Sequence, residues 1–406
     1  MNAHRLGTAA LIFTMTGSLG CEPIGPEAHP PGVIRYPSAL VVDPSGDFAY
    51  VANTNFDSRY AGGTITAVDL QTGRVSSGAS VGTYSYGSDF AARTNDAGRI
   101  DRLYLTSREG SALTWVEVGT GVTPTLRCSD GAAVGGTSFH ECEGRFLFGG
   151  AGANQDLGAD PFGVEVLKRG DSTHLITSAF GGELNLFRLD EAGAPEHIAF
   201  AYGNSGTYGL ASHPVRGVAF TSSKFTNTLQ EVLAYDDGSP DASLLVREAA
   251  IVSSPVTGRE FGRSLAFAPS GDVAFLAYRG PPAGLVALDT RVLPDGTSRN
   301  VVIGVAGLPE GPTGVGVIEH QGRLLVAVSL FSRDEVAIVD GHSLDLLALV
   351  DVGDGPFDVA ITKAGTKSSD PDAPVAVVGL FNEGALSVID VDPTSTSFAT
   401  ELRRIR

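Results

Sequence analysis

Helical periodicity is missing from this chain. No long segment spaces its apolar residues three and four apart, which excludes helical bundles and strand–helix–strand architectures. Lysine is scarce, four residues against 24 arginines, and the formal charge is −18 at pH 7. An acidic balance of that size argues against a nucleic-acid partner and against docking on anionic lipid. Cysteine is limited to Cys21, Cys128 and Cys142. Although His140 and Glu141 sit nearby, two thiols fourteen residues apart do not make a usual zinc pattern. Catalytic signatures are also wanting. The nearest approach to a nucleophile elbow is the glycine-rich turn Gly203-Asn204-Ser205-Gly206, and His174, His197, His213, His320 and His342 stand isolated. No calcium loop with alternating aspartates occurs. No metal and no cofactor is expected, and the balance leans away from an enzyme.

What the chain has in abundance is glycine, 52 residues, and a hairpin that returns seven times. Each copy is an apolar run, a polar turn, a second apolar run and an acidic residue. The first reads Val51-Ala52-Asn53…Ala67-Val68-Asp69 and the last Val377-Val378-Gly379…Val388-Ile389-Asp390. The intervening copies end at Glu117, Asp190, Asp236, Asp289 and Asp340, so the steps are 48, 73, 46, 53, 51 and 50 residues. A period near fifty built only of strands predicts an all-β fold, a seven-bladed β-propeller of four-stranded antiparallel blades. Radial packing buries both faces of each small sheet and leaves only short edges. The blades are expected at about 37–81, 87–121, 161–200, 208–252, 261–303, 312–352 and 356–404. The long step contains an excursion over about 122–158. For closure, Phe398 to Ile405 can form the last outer strand, with the extended Gly32 to Tyr36 able to pair beside it.

The recurring acidic residues read as turn caps. A carboxylate at a strand end accepts backbone amide protons and fixes the turn to the outer strand, a better account than a ring of metal ligands.

Residues 1–20 read as an export signal: a short polar start, the apolar stretch Leu6 to Met15, then Ser18-Leu19-Gly20-Cys21. This resembles a bacterial lipoprotein signal, with Ser18 where such signals usually carry leucine. The resemblance implies that Cys21 is lipidated and becomes the new amino terminus. Release after ordinary cleavage and an uncleaved anchor remain alternatives, the apolar stretch being short for a membrane span. Lipidation would leave Cys128 and Cys142 as a pair inside the excursion, where a disulfide is expected. Residues 21–32, rich in proline, read as a tether, and 33–406 as the ring. The expected molecule is a monomer, held in the cell envelope, at the outer membrane, through its lipid alone.

Tyr50-Val51-Ala52-Asn53 with Thr64 to Gly73 resembles the repeat of YVTN-type propellers, a lactonase-like group common in exported bacterial proteins. Val336-Ala337-Ile338-Val339-Asp340 and Leu386-Ser387-Val388-Ile389-Asp390 match its third-strand core. The resemblance implies a seven-bladed ring outside the cytoplasm, and no single activity.

Loops between blades and loops between second and third strands share one face of such a ring, around the mouth of its axial channel. Arg35, Asp89, Asp160, Arg263 and Asp358 fall in or beside the inter-blade segments. Asn55, Arg108, Lys224, Arg279 and Arg333 fall in the second-to-third-strand loops. Cations from several blades can bind an anion by charge-assisted hydrogen bonds, or pair with Asp89, Glu109, Asp160 and Asp358 as a solvated rim. The expected function is a non-catalytic binding module of the envelope, its ligand or protein partner unspecified. The alternative is a propeller hydrolase or lactonase with a metal-dependent site in the channel.

Overall fold

Apolar runs at the second and third strands of each hairpin are buried on both faces, which is why they read as continuous rather than alternating. All six residues of Phe48–Asn53, Gly284–Asp289 and Ala385–Asp390 are buried. The computed structural model describes residues 27–406 except 29, 120, 132–138, 151–152, 154, 171, 239–240, 252–260, 281 and 367. The expected signal over 1–20 and the expected lipid site Cys21 lie outside the described residues. Seven antiparallel sheets follow one another, their innermost strands beginning at Pro37, Gly87, Pro161, Thr207, Gly262, Pro312 and Pro356. The fold is a seven-bladed β-propeller. Between blades five and six, Phe275, Val326, Val328 and Ala337 interdigitate; between six and seven, Val336, Ile338, Val378 and Ile389 do so.

The strand-end aspartates cap turns. Asp69 Oδ1 accepts the amides of Gln71 and Thr72, both at 2.8 Å, and Asp340 Oδ1 those of His342 and Ser343, both at 2.9 Å. Asp190, Asp236, Asp289 and Asp390 each accept a downstream amide in the same way. Asp236 has a second task. It also accepts from His174 Nε2 at 2.9 Å and Arg188 at 2.7 Å, locking blade four to blade three.

Ring closure uses side chains. The last strand, Glu401–Ile405, completes blade seven, and 32–36 forms no strand; Gly32 instead donates its amide to Ser80 Oγ at 3.0 Å. Asp358 Oδ2 accepts the Leu40 amide at 2.9 Å, and Gln71 Nε2 donates to the Ala364 carbonyl at 2.6 Å. Gly46, with φ of +75°, lies so close to the Lys363 carbonyl that a Cβ there would collide with it. Leu40, Val51 and Val68 of blade one share a core with Val377, Leu386 and Ile405 of blade seven.

Blade two departs from the expected boundary at 121. Its fourth position is filled from the excursion by two short strands, Thr125–Arg127 and Leu147–Phe148, both paired with Ala112–Gly119. Between them His140–Glu141 runs parallel to the outer strand of blade one. Phe146 and Leu157 anchor the excursion in the core, and Trp115 Nε1 donates to the Arg145 carbonyl at 2.8 Å. Cys128 and Cys142 meet in disulfide geometry with Cα atoms 4.7 Å apart. Closing this fifteen-residue loop stabilises by roughly 3 kcal/mol through restriction of the unfolded chain. Peptide mapping of unreduced protein should therefore find the two cysteines joined, and Cys142→Ser should lower the unfolding free energy by about that amount. Two free thiols in protein made under oxidising conditions would contradict this.

Candidate functional site

One backbone device repeats around the mouth. The residue before an innermost strand takes a left-handed conformation: Tyr36, Tyr86 and Asp160 at φ near +50 to +60°, and glycine at 206, 311 and 355. Its carbonyl accepts the amide of the residue that follows the second strand of the same blade. Arg108 thus bonds Tyr86 at 3.0 Å, Phe180 bonds Asp160 at 2.9 Å, and Lys224 bonds Gly206 at 2.6 Å. Thr54, Phe331 and Phe381 are held likewise, and Arg279 bonds Phe261 at 2.9 Å. Seven equivalent positions result, occupied by Thr54, Arg108, Phe180, Lys224, Arg279, Phe331 and Phe381. A second set, at position two of each innermost strand, holds Ser38, Ser88, Phe162, Tyr208, Arg263, Thr313 and Phe357.

Twelve of these fourteen side chains line one cavity of about 270 Å³ at the mouth; only Phe180 and Thr313 do not. Four of its lining residues are cationic and none is acidic, a local reversal of sign in a chain of charge −18. Arg108 makes a two-pronged ion pair with Asp160, at 2.8 and 3.1 Å, and lies over the Phe162 ring. Arg279 donates to the Pro312 carbonyl at 3.0 Å and to the Thr313 hydroxyl, a strut from blade five to blade six. Arg263 is only 3% exposed and its guanidinium stacks 4.7 Å from the Tyr208 ring centre.

Other candidates lie elsewhere. Arg35 pairs with Asp57 and stacks on Tyr60, away from the cavity. Asn55 organises its own loop, accepting the Tyr60 amide and donating to the Tyr60 carbonyl and Ser85 Oγ. The side chain of Arg333 is 55% exposed and 3.7 Å from Glu335. Asp89 and Asp358 sit deeper, on a second cavity of about 390 Å³ that shares Ser38, Ser88, Phe162, Tyr208 and Phe357 with the first. Sequence reasoning missed Glu165, which joins them there. It also missed the aromatic wall. The signal for that wall was present in the inter-blade segments, where Tyr86, Phe162, Tyr208 and Phe357 recur beside the small residues.

The deep carboxylates face the channel yet are surrounded by protein. Burial pushes Asp89 up to about 7, reinforced by the Asp358 and Glu165 charges and opposed by amides donated from Val164 and Phe90. Burial likewise raises Glu165 to about 7, against the Ser212 hydroxyl, and Asp358 to about 6, against the Leu40 and Val359 amides. Carboxyls with native pKa values above their unfolded ones bind extra protons when folded. Their contribution to stability is therefore greatest in acid and falls as pH rises from about 4 to about 7. Asp89→Asn removes the titration while keeping a carbonyl acceptor for one of the two amides, which bond separate carboxylate oxygens in the parent. Thermal melts at pH 5 and pH 8 should show a smaller loss of stability across that interval in the variant than in the parent. Equal losses would remove this account of Asp89.

No family model matches the chain, and no curated protein matches it. Solved structures do. The chain is similar to Kuenenia stuttgartiensis hydrazine synthase at 15% identity and TM-score 0.57, over 91% of this chain and 98% of that one. A second similar structure is the Cps50 (Swd1) β-propeller domain of Myceliophteria thermophila, at 11% identity and TM-score 0.57, over 88% and 97%. A third is the periplasmic gluconolactonase PpgL of Pseudomonas aeruginosa, at 16% identity and TM-score 0.53, over 79% and 86%. At such identities the likeness is one of fold, and it places lactonase-type propellers among the structural neighbours of this seven-bladed ring.

Proposed function

We propose that this protein is a non-catalytic binding module of the bacterial cell envelope, which captures anionic ligands at the basic end of its axial channel. One observation carries the reading: the mouth cavity is lined by Arg108, Lys224, Arg263 and Arg279 and by no carboxylate. Guanidinium groups match carboxylate and phosphate oxygens with paired donors, and a partly enclosed wall strengthens such bonds relative to open solvent. Arg279 is held in place by blade six, so less ordering is needed when a ligand arrives.

Titration calorimetry with inorganic phosphate at low salt is the direct test. Binding is expected, weakening as ionic strength rises. Arg279→Ala and Lys224→Ala should each reduce affinity about tenfold, the scale of a charge-assisted hydrogen bond. Arg333→Ala, outside the cavity, should leave it unchanged. Binding that survives both cavity substitutions would end the reading.

The envelope placement rests on the signal-like start and on the likeness of the third-strand repeats to YVTN-type propellers. It predicts incorporation of a labelled fatty acid by the parent and none by Cys21→Ser. Equal labelling of the two would refute attachment at this cysteine.

A second reading, a channel hydrolase or lactonase, draws on Asp89 and Glu165, because perturbed carboxylates in a cleft are characteristic of active sites. Among the described residues no three His, Cys, Asp or Glu side chains are grouped to hold a metal, so no metal-dependent step is assigned. Turnover of a sugar lactone that disappears in Asp89→Asn would favour this second reading.

A further inference from the structure

The mouth is not uniform around its circumference. Its cations come from blades two, four and five, at Arg108, Lys224, Arg263 and Arg279. Three of these four belong to blades four and five, which form the basic sector. The adjoining arc is aromatic. Phe331, Phe357 and Phe381 of blades six and seven pack against one another with ring centres 5.5 to 6.4 Å apart. Phe56 of blade one extends this wall, its ring centre 5.3 Å from that of Phe381, and is itself 56% exposed.

Blade five borders blade six, so the basic and aromatic sectors meet, and Arg279 bridges the join through Pro312 and Thr313. A ligand seated there contacts donors on one side and flat apolar rings on the other. An inorganic anion uses only the first. Space sets the second limit: 270 Å³ is room for about nine groups at a water's share of volume, roughly 30 Å³ each. That fits one small ring with its charged substituent. Below the mouth, Asp89, Glu165 and Asp358 line the channel with no cation among the lining residues, so the charged end is held at the collar.

The geometry points to a compact aryl anion as the ligand class: a carboxylate held by Arg263, Arg279 and Lys224, with its planar ring against Phe331, Phe357 and Phe381. This rests on the anion-binding reading and adds to it the apolar half of the ligand. Rings that pack offset or edge-to-face with ligand rings add specificity beyond area alone, whereas a sugar acid offers hydroxyls that this wall has few partners for.

A ligand series on the full-length protein tests the inference without altering the fold. By titration calorimetry, benzoate should bind about tenfold more tightly than acetate, the scale of one aromatic contact plus the buried ring. Benzyl alcohol, the neutral counterpart, should not bind measurably, and glucuronate should bind no better than acetate. Phe357→Leu and Phe381→Leu, each checked by thermal melting, should weaken benzoate about tenfold and leave phosphate unchanged. Equal affinity for benzoate and acetate, or glucuronate binding more tightly than benzoate, overturns the aryl assignment while phosphate binding keeps the anion site. Failure of every anion, phosphate included, overturns both.

Discussion

The mouth keeps its shape because polar side chains near the axis clip each innermost strand to the next. Asp89 accepts the Val164 amide across blades two and three, and Asp358 accepts the Leu40 amide across seven and one. Ser222 Oγ donates to the Arg263 carbonyl at 2.6 Å while accepting the Gly209 amide, and Ser329 does the same between Phe357 and Gly314. Ser38 and Thr106 donate to the Gly87 and Phe162 carbonyls. Innermost strands have one edge without a sheet neighbour, so these bonds satisfy groups that would otherwise face the channel unpaired. They also set the distance between blades, and with it the width of the ring.

Two of those clips are carboxylates, and their price is a charge deep in the protein. Proton uptake relieves it, since the same amides can be accepted by a neutral carboxyl oxygen. The basic collar above is the complementary solution. Arg263 sits over Tyr208, Arg108 is matched by Asp160 and Arg279 is bonded to Pro312 and Thr313, so these cations are held within the wall itself.

Much of the fold was legible because the second and third strands are enclosed on both faces and end in a capping aspartate. Asp69, Asp190, Asp236, Asp289, Asp340 and Asp390 perform one local task, and local hydrogen bonding leaves a mark at a fixed place in each repeat. Blade two was harder: its fourth position is split, and a three-residue strand such as Thr125–Arg127 has no periodicity to detect. The site was legible only in part, for a reason of register. What faces the cavity, in six of the seven blades, is the residue immediately after the second strand. That residue is Thr54 rather than Asn55, and Phe331 rather than Arg333. Composition marks the loop; the left-handed residue and its carbonyl select the position. The aromatic wall was overlooked because phenylalanine beside glycine and proline reads as core.

The same amide-to-carbonyl bond holds the backbone at each of the seven mouth positions whatever side chain the position carries, and in six of them the accepting residue is left-handed. Threonine, arginine, lysine and phenylalanine all occupy it with the same amide-to-carbonyl bond. Shape and chemistry are thereby uncoupled at this rim. A lineage descended from such a ring can exchange one residue per blade and alter what it recognises without renegotiating how it folds.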